Sequence, residues 1–150
     1  YSLRSNVFVV DETDVLPNLG SRAYKVPVEA GGPPLRATLV YADPSGTTSS
    51  SQHRINDLTL KVTSPSGVVY WGNNGLLDGL WSASDGEPNT IDTVENVFIQ
   101  KPESGTWTIE ILANEVNEDA HTETPEIDAD YALVVSGIRP STPAGKSARP

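Results

Sequence analysis

Between Ile55 and Asn73 the chain reads INDLTLKVTSPSGVVYWGN, and no other stretch limits the fold as tightly. Leu58, Leu60 and Val62 alternate with Thr59, Lys61 and Thr63, the period of a strand with one buried and one wetted face. Ser64-Pro65-Ser66-Gly67 follows, with proline suited to the first central position of a turn and glycine free to take a positive φ. The chain must therefore reverse, and Val68-Val69-Tyr70-Trp71 runs back as the second arm of a hairpin. Two strands are not stable alone in water, so the rest of the chain has to complete a sheet.

It does so in short alternating segments. Val7 to Val10 predicts an edge strand, and the acidic residues after it, closed by Pro17-Asn18-Leu19-Gly20, predict a loop. Tyr24, Val26 and Val28 form one face of a further strand, and Pro27 places that strand at an edge, where a missing N–H is tolerated. Leu35, Ala37 and Leu39 alternate next, before the turn signal Ala42-Asp43-Pro44-Ser45-Gly46. A Gly-, Asn- and Asp-rich loop from Asn73 to Thr93 separates the hairpin from Val94–Ile99. Loops that long within a domain are commonly functional or held by an ion. Thr106–Ile111, with Trp107, Ile109 and Ile111 facing in, and a last strand carrying Tyr131, Leu133 and Val135 follow. The segment from Asn114 to Asp128 between them reads as acidic loop. Helical periodicity is absent, and 12 Pro and 12 Gly punctuate the chain. The expected class is all-β, an antiparallel β-sandwich or jelly roll of about eight strands. Pattern alone does not separate those two.

With 150 residues, one domain is expected over residues 1–138. A Pro/Ser/Ala-rich tail or linker over 139–150 is too poor in apolar residues to order itself. A formal net charge of −10 opposes nucleic-acid binding, which needs concentrated positive charge. No apolar run approaches the roughly 20 residues of a membrane span, and no leader pattern is visible, so the expectation is neither a membrane partner nor a precursor. The lack of cysteine removes disulfides, thiol catalysis and zinc–thiolate sites, and leaves the compartment open.

Several segments, taken in order, carry a resemblance. They are Leu39-Val40-Tyr41-Ala42-Asp43-Pro44, Ile55-Asn56-Asp57-Leu58, Thr63-Ser64-Pro65-Ser66-Gly67, Tyr70-Trp71-Gly72-Asn73, Val94-Glu95-Asn96-Val97 and Pro102-Glu103-Ser104-Gly105-Thr106-Trp107-Thr108-Ile109-Glu110. Their order and spacing over Tyr24 to Gly137 resemble the C-terminal β-barrel domain of secreted bacterial subtilisin-like serine proteases. More distantly, they are similar to the P domain of proprotein convertases. The resemblance implies a secreted jelly-roll accessory domain without catalytic residues, associated with calcium and stability. Its implied partners are the protease domain of the same parent chain and protein substrate.

The residues themselves agree that no nucleophile is in place. Serines are many, but neither a G-x-S-x-G elbow nor a subtilisin-type Gly-Thr-Ser motif occurs. His53 and His121 fall in polar loops, where a histidine is usually just solvated, and two separated histidines do not make a zinc site. Calcium takes hard oxygen ligands. Asp43, Asp57, Asp78, Asp85, Asp92 and Glu95 are the carboxylates nearest the hairpin, and Asp43, Asp57 and Asp92 are the first choices as ligands. The alternative for these acids is capping of turns and solvation of loops, and no complete EF-hand loop decides between the two. Carbohydrate or polymer binding by a stand-alone module is the competing function, with Trp71 and Trp81 flanking the long loop as stacking rings. Trp107 belongs to the core pattern.

Overall fold

The computed structural model describes residues 6–46, 48, 49, 51 and 54–139. Eight strands follow one another: β1 (Val7–Pro17), β2 (Ser21–Val28), β3 (Leu35–Val40), β4 (Asp57–Thr63), β5 (Val69–Trp71), β6 (Val94–Ile99), β7 (Gly105–Glu115) and β8 (Asp128–Ser136). The hairpin lies at their centre. Ser64 donates its N–H to Val68 O at 2.9 Å, Gly67 donates to Ser64 O at 3.0 Å, and Gly67 takes the positive φ of 90° that the turn requires.

Outward from that turn the strands pair in nested order, β4 with β5, β3 with β6, β2 with β7 and β1 with β8, every pair antiparallel. The chain is thus one long hairpin wrapped over itself, with successive pairs alternating between two four-stranded sheets of order β1-β8-β3-β6 and β2-β7-β4-β5. This is jelly-roll topology, which settles what alternation left open.

The inward residues of both sheets form a single core. Leu35, Ala37 and Leu39 of β3, Leu58, Leu60 and Val62 of β4, and Ile109 and Ile111 of β7 are completely buried. Trp107 and Tyr131 are the largest fully buried side chains. The Trp107 indole N–H stays satisfied by donating to Glu103 O at 2.9 Å.

Three expectations need adjustment. β1 does not stop at Val10 but runs through Asp11–Asp14 to Pro17, with a register shift between Asp11 and Val15 and Glu12 at φ 52°. A bulge lets acidic residues interrupt the alternation without ending the strand. Asn114 and Glu115 extend β7 instead of opening a loop. Arg139, placed in the tail by composition, donates its N–H to Pro27 O at 2.8 Å; residues 140–150 lie outside the described residues. The edge placement of β2 with its Pro27 is as expected.

Candidate functional site at the seam between the sheets

After Trp71 the chain leaves one sheet for the other within two residues. Gly72 donates its N–H to Leu60 O of β4 at 3.0 Å, and Asn73 donates its N–H to Asn96 O of β6 at 2.8 Å. The Asn73 side chain completes the crossing, accepting from Asn96 N–H at 2.8 Å and donating to Val94 O at 2.9 Å. β6 is the outer strand of its sheet, so this segment also covers backbone groups of an otherwise open edge.

The crossing leaves Leu60 N–H just beyond the last β4–β5 pair, Lys61 with Trp71. Glu95 takes that N–H, accepting it on Oε2 at 2.8 Å. Glu95 occupies an inward position of β6 with Val97 and Ile99, is fully buried, and has no hydrogen-bond partner on Oε1. Gly72 lies directly over it, since a Cβ at that position would come within 2.0 Å of Glu95 Oε2. Burial pushes the Glu95 carboxyl up to about 8, the Leu60 N–H opposes that rise, and the negative charges of Asp57 and Asp92 add to it.

The three carboxylates singled out in the sequence sit in separate settings, two of them, Asp57 and Asp92, near enough to act on Glu95. Asp43 accepts the N–H groups of Ile55 and Asn56, each at 2.8 Å, one on each oxygen. It pins the start of β4 as a turn cap does. Asp57 is buried and faces Arg54 at 3.8 Å and the Asn114 amide at 3.4 Å. Burial raises its pKa, and Arg54 and Asn114 oppose the rise. Asp92 accepts from the side-chain amides of Asn89 at 2.7 Å and Asn73 at 3.1 Å. Beside Asp92 a cleft of about 330 Å³ is lined by Gly72, Asn73, Leu77, Glu87 and Asn89 among others.

Among the described residues no group of three or more His, Asp or Glu side chains is arranged to hold a metal ion. N–H donors face each of the three aspartates, where a calcium ion would require them to face a shared oxygen shell. Each of the three thus has hydrogen-bond donors of its own in this structure.

Asn56 and Glu95 are what sequence reasoning undervalued here. Asn56 is completely buried. It donates to Glu118 O at 2.9 Å and accepts from the N–H groups of Asn117 and Glu118 at 2.8 and 3.2 Å, tying the segment after β7 to the start of β4. The signal for Glu95 was present, because in Val94–Ile99 it shares the inward parity of Val97 and Ile99.

His121 is held by acids. Its Nδ1 lies 3.4 Å from Asp128 and 3.4 Å from the Thr124 hydroxyl, and its Nε2 lies 3.5 Å from Glu123. The Thr124 hydroxyl donates to Asp128 at 3.4 Å, so hydroxyl and carboxylate crowd the same ring nitrogen and no nucleophile–base–orienter relay is formed. His53 falls outside the described residues.

Trp71 and Trp81 lie on opposite outer faces. Trp71 pairs with Lys61, whose ammonium sits 5.7 Å from the ring centroid, on the outside of the β4–β5 sheet. Trp81 packs over Arg36 on the outside of the β3–β6 sheet. They do not make one shared stacking platform, and Trp107 is core, as expected.

The geometry defines an eight-stranded jelly roll with a buried polar seam. No protein-family model matches the chain, and no curated protein sequence matches it significantly.

Proposed function

We propose that this chain is a non-catalytic accessory domain of an extracellular subtilisin-like serine protease, stabilising the enzyme and contacting protein substrate. The observation that supports it is the convergence of the segments that carry the resemblance. Asp43 of the first segment caps Ile55 and Asn56 of the second, Gly72 and Asn73 of the fourth sit on Glu95 and Asn96 of the fifth, and Glu103 of the sixth accepts the N–H of Ser66 in the third at 2.9 Å. The six segments thus meet in three pairs, an arrangement in keeping with the domain frame that the resemblance implies.

The test is to express the chain with and without the protease domain expected upstream in the parent gene. On this reading the isolated chain hydrolyses neither casein nor a chromogenic peptide, and deleting it from the enzyme lowers the temperature of inactivation. Turnover by the purified isolated chain that a serine-protease inhibitor abolishes refutes the reading, and so does a parent gene without a protease domain.

Calcium belongs to the same reading, although N–H donors engage Asp43, Asp57 and Asp92. Melting in chelator and in calcium decides it. A melting temperature that drops in chelator and no longer does so in Asp57→Asn supports an ion at these carboxylates. Equal melting leaves them as caps and pairs.

A further inference from the structure

Arg22, Arg54 and Arg139 each face a carboxylate, Asp14, Glu115 and Glu29 respectively, at 3.9, 3.2 and 3.7 Å. Arg36 does not: among the described residues no carboxylate lies within ion-pair distance of it. In a chain with 20 acidic and 10 basic residues, Arg36 is thus an exposed cation that no ion pair engages among the described residues, as are Lys25 and Lys101. Its guanidinium carbon lies 5.9 Å from the Trp81 ring centroid and 6.0 Å from that of Phe98, at the reach of cation–π attraction. Two rings thus lie beside it, and no hydrogen bond or ion pair among the described residues engages its guanidinium.

The frame around it is built. Phe98 is the β6 partner of Arg36 in the strand register. Trp81 is fixed through its neighbour Ser82, which donates its N–H to Phe98 O at 2.8 Å and accepts Phe98 N–H on its hydroxyl at 2.9 Å. Arg36, Trp81, Phe98 and Leu80 line a recess of about 400 Å³, and Leu80 is 81 % exposed at its rim. The recess therefore offers apolar walls and one cation with a planar donor edge.

We propose that this recess binds the C-terminal end of a peptide, with the last, apolar side chain against Trp81, Phe98 and Leu80 and the free carboxylate on the Arg36 guanidinium. The planar guanidinium fork matches the two oxygens of a carboxylate, and the apolar walls reward a hydrophobic last residue. A neutral sugar would find donors only, from Arg36 and the Trp81 indole, with no acceptor side chain among the four lining residues, and would leave most hydroxyls without partners. The recess lies on the outer face of the β3–β6 sheet, apart from the buried seam, and its assignment does not depend on the protease reading.

The test titrates the full chain with N-acetyl-Gly-Phe-Leu as free acid and as C-terminal amide, following the Arg36 Nε–H and Trp81 indole N–H resonances. The free acid is expected to shift both signals, and the amide to bind at least about tenfold more weakly, since it loses the charge-assisted pair. Arg36→Gln removes the preference for the acid, and Trp81→Ala removes binding, with unchanged melting showing that each variant is folded. Arg36→Lys, which keeps the charge without the planar fork, restores only part of the preference. Equal binding of acid and amide, shifts confined to other residues, tighter binding of a neutral oligosaccharide at the same two signals, or no binding up to about 10 mM peptide each overturn the proposal.

Discussion

Glu95 makes the stability of this domain depend on pH in an unusual direction. A carboxyl that ionises near 4.5 when exposed but is pushed up to about 8 by burial holds its proton more tightly folded than unfolded. The folded state therefore binds more protons between about pH 4.5 and about pH 8. The corresponding stability is fully present below the lower value and is lost as pH rises through the upper one. At about 1.4 kcal/mol for each tenfold difference in acidity, the gap amounts to about 5 kcal/mol, a large share of the 5–15 kcal/mol that holds a typical domain together. Asp57, also pushed up by burial, acts in the same direction, so Glu95 has to be isolated by substitution. Glu95→Gln keeps an oxygen for Leu60 N–H and cannot ionise. Urea unfolding from about pH 5 to about pH 9 should show the wild type losing several kcal/mol more than this variant, with similar stabilities at the acid end and the variant ahead at the alkaline end. Parallel pH profiles for the two proteins would refute the assignment of a buried, neutral Glu95.

Gly72→Ala forces a methyl group into the fully buried Glu95 side chain and should cost about 3 kcal/mol or more in denaturant unfolding. Asp43→Ala removes acceptors from two backbone N–H groups and should cost about 2 kcal/mol by the same measurement, with Asp43→Asn losing less. Asn56→Ala leaves Glu118 O and two N–H groups unpaired inside the protein. It should cost about 2–4 kcal/mol and raise amide exchange at Asn117 and Glu118. Asn56→Asp should be worse at neutral pH than at acid pH, because an ionised oxygen would face the Glu118 carbonyl.

The strands legible in the sequence are those whose alternation is unbroken: β3 and β4 have the expected inward residues, β6 falls where a strand is expected, and Trp107 and Tyr131 are buried as their parity implies. β1 was cut short because Asp11–Asp14 look like a loop when read singly. A bulge that holds them against β8 depends on the partner strand, residues Asp128 to Ser136, far along the chain. The same limit applies to the seam. Asp43, Asp57 and Asp92 stand out as carboxylates in the sequence, but whether N–H groups or oxygens face them is decided by Ile55 and Asn56, by Arg54 and Asn114, and by Asn73 and Asn89 respectively. Those contacts come from loop paths that alternation does not encode. The position of Arg36 between two rings likewise needs Trp81 to be brought back along β6 by Ser82.

The nested pairing also has a consequence in time. β8 lies between β1 and β3, so β1 has no neighbour to bond until residues near Ser136 have been synthesised, whereas β4 and β5 can meet as soon as their turn emerges. On a ribosome the order of assembly should run outward from the turn, with the β1–β8 pair closing last. Pairings that distant close slowly. During that interval the exposed backbone of Val7–Pro17 is the segment most open to wrong partners, and its acidic bulge at Asp11–Asp14 places charge on the stretch that waits longest.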